Sequence, residues 1–194
     1  MKKLLIGVLS LLVVGAVFAQ APMRIRGTIT AVDGDVLSVK SRDGKDLKVQ
    51  IAPDARVGTA KAIALADIKQ GTYIGVTAMK GGDGKLTAVE VHTIPPQAPA
   101  GHMPWDLQPG STMTNANLSG VARATSGNEI TVEAKGESYR ILVPDGVPVA
   151  TSVPADRSAL KPGETIFAIG PVDASGVIKV GSVTVSKDGF KPPQ

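Results

Sequence analysis

The chain has 194 residues, with 21 Lys and Arg against 17 Asp and Glu, one Trp, two Tyr, three Phe and no Cys. The missing thiols exclude disulfides, thiol catalysis, Cys-ligated zinc and a lipidated N-terminal cysteine. The net charge of +4 is spread with basic and acidic residues interleaved, so no concentrated stripe suits a phosphate backbone, and a nucleic-acid partner is disfavoured.

The N-terminus reads MKKLLIGVLSLLVVGAVFAQA, with Lys2 and Lys3 ahead of an apolar run from Leu4 to Val14 and small residues at Val17 and Ala19. This pattern predicts a secretory signal peptide over 1–19, cut after Ala19, with a cut after Ala21 as the alternative. Its removal leaves 19 basic against 17 acidic residues, a net +2. No other window approaches the roughly 20 apolar residues of a membrane span. The mature chain is therefore expected without a transmembrane segment, in the periplasm or secreted.

Residues 20–93 form a first unit. In RIRGTITAVDGDVLSVKSRDGKDLKVQIAP, apolar and polar residues alternate through Ile25, Ile29, Val36, Val39, Leu47, Val49 and Ile51, which predicts three strands. The pairs Asp33-Gly34 and Asp43-Gly44 supply hairpin turns. After Pro53, Ile63, Leu65 and Ile68 suit a helical turn or short irregular segment. Two more strands, 72–79 and 85–93, are joined by Gly81-Gly82-Asp83-Gly84.

A second unit, 118–187, repeats this course. Gly27 to Leu37 and Gly120 to Ile130 each span ten positions, Gly71 to Gly84 and Gly163 to Gly176 each span thirteen, and the matched glycines lie 93, 92 and 92 apart. IAPD at 51–54 matches VPD at 143–145, and IKQG at 68–71 matches LKPG at 160–163. A period this long indicates duplicated domains rather than a solenoid. Closure removes the edges of a five-stranded meander, so the expected fold is all-β: two tandem five-stranded OB-like small barrels joined by a proline-containing central segment, 94–117, with a fraying tail at 188–194. Two open β-rolls packed face to face are the alternative.

The pattern G-x-I-x-x-V, L-x-V, L-x-x-G-x-x-V and D-G-x-L-x-A-x-x-V is carried by Gly27, Val32, Leu37, Val39, Gly71, Ile74, Asp83, Gly84, Leu86, Ala88 and Val91. It resembles secreted bacterial OB-like repeats of unknown function. In the second unit Ala124 replaces the strand-one valine and Ser175 precedes Gly176. The central GHMPWDLQPGSTMTNA is similar to a segment of exported proteobacterial proteins, some of which carry metal-transport labels. The resemblance implies folding rather than chemistry, and a permease is excluded by the lack of a span.

That central segment collects the rare residues. Pro95, Pro96 and Pro99 favour an extended lead-in that keeps the barrels from merging into one sheet. Trp105, Asp106, Leu107 and Asn115 are candidate partner-binding residues, because tryptophan is enriched among interface hot spots; as a structural alternative, Trp105 and Leu107 plug the groove between repeats. His102, Met103 and Met113 are candidate soft-metal ligands, since copper(I) accepts imidazole and thioether. The turns lack the alternating acidic ligands of an EF-hand. With only His92 and His102 available and no nucleophile elbow, zincin or P-loop motif, catalysis is disfavoured. Five aromatics outside the signal peptide, Tyr73, Trp105, Tyr139, Phe167 and Phe190, are too few for a stacking platform along single-stranded nucleic acid. The expected role is an exported non-enzymatic binding or adaptor protein of the cell envelope, with an envelope protein or small ligand as partner and no cofactor. The alternative is a periplasmic copper-type metal-binding accessory.

Overall fold

The computed structural model of the chain describes residues 22–192. The signal peptide expected over 1–19 lies outside them. Among the described residues no helix is long and apolar enough to cross a membrane.

The chain is all-β. The first unit supplies β1 (Met23–Asp33), β2 (Val36–Ser41), β3 (Asp46–Ala62), β4 (Tyr73–Lys80) and β5 (Leu86–Thr93). The central segment supplies β6 (Gly101–Pro104). β7 (Ser111–Ala124) runs from the central segment into the second unit, which supplies β8 (Gly127–Ala134), β9 (Glu137–Pro144), β10 (Val149–Pro154), β11 (Thr165–Gly170) and β12 (Ile178–Val185). Alternation of apolar and polar residues forms these strands, and Gly34 and Gly44 adopt φ of 55° and 83° at the Asp-Gly turns, where a side chain would be strained.

The strands form one 12-stranded sheet in the order β12-β11-β1-β2-β3-β10-β5-β4-β7-β8-β9, with β6 added on β7. A parallel pairing of β12 with β3, from Ile178 opposite Val49 to Val185 opposite Thr59, closes a five-stranded barrel of β1, β2, β3, β12 and β11. Of the remaining seven strands, β5, β4, β7, β8 and β9 are joined end to end by a short parallel contact of β5 with β9, Leu86 opposite Ile141. The expectation of two tandem barrels, one per repeat, is therefore corrected. The closed barrel takes its first three strands from one repeat and its last two from the other, and β4 and β5 lie instead beside β7 and β9. The two cores divide the same way. One contains Ile25 to Val57 together with Leu160 to Val185; the other runs from Ile68 to Val149.

The repeats remain matched in space. Val57 opposes Val183 as Val149 opposes Val91, so both members shift by 92 residues. On the pairing of β3 with β10, Ala60 lies opposite Ser152, its own equivalent, flanked by Ala62 opposite Ala150 and Gly58 opposite Pro154. An approximate twofold axis therefore passes between Ala60 and Ser152. This pairing also explains why β3 runs on to Ala62 where a helical turn was expected. The turn comes later, at Leu65–Asp67, where the Asp67 carboxylate accepts the Ala64 N–H at 2.9 Å. The continuous sheet overrides the expected separation by the proline lead-in, because β3 and β10 bridge the two halves directly.

The match at the first strand needs one further correction. Ile29 donates its N–H to Glu164 O and Leu118 donates to Thr72 O, so Ile29 corresponds to Leu118, an offset of 89 rather than 93. Gly120 then corresponds to Ala31 and not to Gly27, and Val121 rather than Ala124 corresponds to Val32. The β7–β8 hairpin is longer than β1–β2, which shifted the apparent glycine match.

Candidate functional site

The central segment begins as a turn, with the Ala98 N–H bound to Pro95 O at 3.0 Å. Two side chains pin it over the sheet: Tyr73 Oη donates to Ala98 O at 3.1 Å and Asn115 Nδ2 to Pro99 O at 2.9 Å. β6 then pairs antiparallel with the start of β7, His102 opposite Thr114 and Met103 opposite Met113. Ser111–Asn117 is thus the first half of β7. The loop of this ribbon is fastened by Ser111, whose Oγ donates to Trp105 O at 3.0 Å or Gln108 O at 2.8 Å while its carbonyl accepts the Trp105 N–H at 2.8 Å.

The loop lands on the closed barrel. Arg24 and Arg26 are two apart on β1 and so project from the same face. The Arg24 guanidinium carbon lies 4.0 Å from the centroid of half-buried Trp105, and that of Arg26 lies 5.7 Å from Trp105 and 5.5 Å from Phe167 of β11. Asp106 Oδ1 accepts from Arg26 Nη2 at 2.7 Å, and Oδ2 lies 3.5 Å from Arg24 Nη1. Arg42, in the β2–β3 turn, donates to Leu107 O at 2.9 Å and Asp106 O at 3.4 Å. Burial pulls the Asp106 carboxyl upward, but the hydrogen bond and charge of Arg26 and the charge of Arg24 outweigh it and hold it below the ordinary carboxylate value.

These contacts bring Trp105, Asp106 and Leu107 together. Asn115 stands apart from them, buried, with its amide engaged by the lead-in. No local pattern marks the arginines, because Arg42 lies 18 positions and Asp106 lies 82 positions after Arg24; only the barrel assembles them.

The soft-ligand set is divided by strand geometry. Successive residues of a strand point to opposite faces, so Met103 and Met113 share one face while His102 takes the other. His102 Nδ1 lies 2.8 Å from Thr114 Oγ1 and its ring stacks on Tyr139 at 5.1 Å. Burial, aided by Lys80 and opposed by Glu137, holds His102 below the usual imidazole value. The three residues do not converge on one point. Among the described residues no three His, Cys, Asp or Glu side chains form a metal-binding group either.

The second histidine is buried beside the pinned lead-in. His92 on β5 pairs with Gly75 of β4, which pairs in turn with Asn115. A Cβ on Gly75 would lie 2.8 Å from His92 Nε2 and 3.2 Å from Asn115 Oδ1. Among the described residues His92 Nδ1 has no hydrogen-bond partner, and burial pushes the imidazole down to about 4. No carboxylate among the described residues is bonded to that ring, and Glu90, two residues before it on β5, accepts from Thr77 Oγ1 at 2.8 Å. Set against protein-family models, curated proteins and solved structures, the chain matches none.

Proposed function

We propose that the chain is an exported, non-enzymatic binding or adaptor protein of the cell envelope, and that the ribbon loop around Trp105, Asp106 and Leu107 is its recognition element. The carrying observation is the half-buried Trp105 held between the ribbon and the arginines of β1. A large amphipathic side chain fixed on a rigid strand face is the arrangement that binding hot spots favour. On this reading both cores are OB-like barrels. Support for that comes from the ring order, in which three consecutive strands are followed by a last strand parallel to the third, and from the short 3₁₀ turns at Leu65–Asp67 and Arg157–Ala159 at matching places. A copper-type site of His102, Met103 and Met113 has lost its support, since the imidazole and the thioethers lie on opposite faces.

A photo-crosslinking amino acid at position 107, in the cell envelope of the producing organism, tests the reading. It should give a discrete adduct that a crosslinker at Lys48, on β3 with its Nζ bonded to Ser38 Oγ rather than to the ribbon, does not. Equal adducts from both positions, or none at 107, would sink the recognition role. Mass determination of the mature N-terminus tests export: a chain starting at Met1 rather than Gln20 or Pro22 would remove it.

A further inference from the structure

The charges at the ribbon contact are unequal. Among the described residues Arg24, Arg26 and Arg42 face a single carboxylate, that of Asp106, and the other side-chain contacts they make are with the main-chain carbonyls of Asp106 and Leu107. Arg26 is the most committed: its side chain is 9% exposed and flanked by Trp105 and Phe167, yet among the described residues its Nε has no hydrogen-bond partner. A buried guanidinium nitrogen without an acceptor is costly to maintain. Asp106, by contrast, is 51% exposed and hangs on a loop fastened by one serine. The fixed side of the contact is the arginines; the removable side is the aspartate.

What the arginines grip is a carboxylate together with the peptide carbonyls at and after it, which is the chemistry of an extended acidic peptide rather than of a bare anion. We infer that Arg24, Arg26 and Arg42 form a site for an acidic peptide segment of a partner, of the type Asp followed by an apolar residue, and that Asp106-Leu107 occupies this site as a tethered, displaceable substitute. The inference deepens the adaptor reading and rests on it, by naming the chemistry of the partner. Intramolecular occupancy makes the site self-inhibited: a free peptide must compete with a segment held at high effective concentration, and it gains from the acceptor that Arg26 Nε lacks.

Trp105 is the only tryptophan, so its emission reports displacement of the loop directly. The test titrates the purified protein with acetyl-Ala-Asp-Leu-Gln-amide and follows that emission. Asp106→Asn, which keeps the loop but removes the internal carboxylate, should bind the peptide at least tenfold more tightly than the natural chain. Adding Arg42→Gln, at an exposed turn position, should reverse the gain by about tenfold. The Asn-for-Asp version of the peptide should not bind. Equal affinity of Asp106→Asn and the natural chain overturns the proposal, as does an equal response to inorganic phosphate at the same concentration, which would mean a bare-anion site. Peptide binding without a crosslinked adduct at position 107 would instead count against the adaptor reading alone.

Discussion

Arg24 lies with its guanidinium carbon 4.0 Å above the Trp105 indole, and the residue after that tryptophan returns an ion pair to Arg26 at 2.7 Å. One half-buried side chain thereby joins the ribbon on β7 to the first strand of the closed barrel. Trp105→Ala should lower stability by about 2–4 kcal/mol, the sum of lost apolar burial and cation–π attraction. Trp105→Phe should retain more than half of that. Urea unfolding followed by circular dichroism measures both; an alanine variant within about 0.5 kcal/mol of the natural chain would mean that the loop is not docked.

Gly75 is the space into which the His92 ring fits. A methyl group there would lie 2.8 Å from His92 Nε2, so Gly75→Ala should cost about 1–3 kcal/mol through overpacking. In combination with His92→Ala, the alanine at 75 should cost much less than it does alone, giving a coupling of about 1 kcal/mol or more in a double-mutant cycle. Additive losses would show that the two side-chain positions do not compete for one space.

His92 makes stability depend on pH in a defined window. Its imidazole is held down to about 4 from 6.5 by burial, so the native state keeps it neutral while the unfolded chain takes up a proton. The stabilisation is complete above pH 6.5, is lost as the pH falls from 6.5 towards 4, and changes no further below that, a total of about 3 kcal/mol. Asp43 and Asp173, lowered to about 2 by hydrogen bonds led by Lys45 and Ser175 respectively, lose their contributions only below about 3.8. Unfolding free energies between pH 7 and 4.5 should therefore fall more steeply for the natural chain than for His92→Gln, in which only the smaller contribution of His102 is left. Parallel curves would refute the assignment.

Exchange of strands between repeats makes an unusual demand on fragments. Residues 22–99 and 100–192 should each be largely unfolded alone, because every core draws on both, yet they should recover native circular dichroism when refolded together. A stable, cooperative 22–99 fragment on its own would show that a repeat can close by itself.

The strand pattern was legible because period-two alternation and Asp-Gly turns are local. Val36 to Val39 and Leu47 to Ile51 needed no distant partner to be read. Pairing across the barrel is different: nothing near Ile166 indicates that it opposes Gly27 rather than a strand of its own repeat. The same holds for β10, which exists through its pairing with the end of β3. The ribbon was marked by its rare residues, but its register, which sends His102 away from Met103, emerges only from pairing with Thr114 and Met113. The arginines that meet Trp105 were hidden among ordinary surface charges.

The route of the chain sets an order of assembly. β4 to β9 span residues 73–144 and Val149 of β10 completes their core, so the core around Ile74 and Ile141 has all its strands once β10 has emerged. The closed barrel must wait for Val185. Delivery from the N-terminus therefore leaves β1, β2 and β3 without β11 and β12 until Val185 arrives, with the edges of β1 and β3 open to pairing with other chains. The first strand delivered is among the last to be completed, and this waiting period is where a folding helper or an early termination would act.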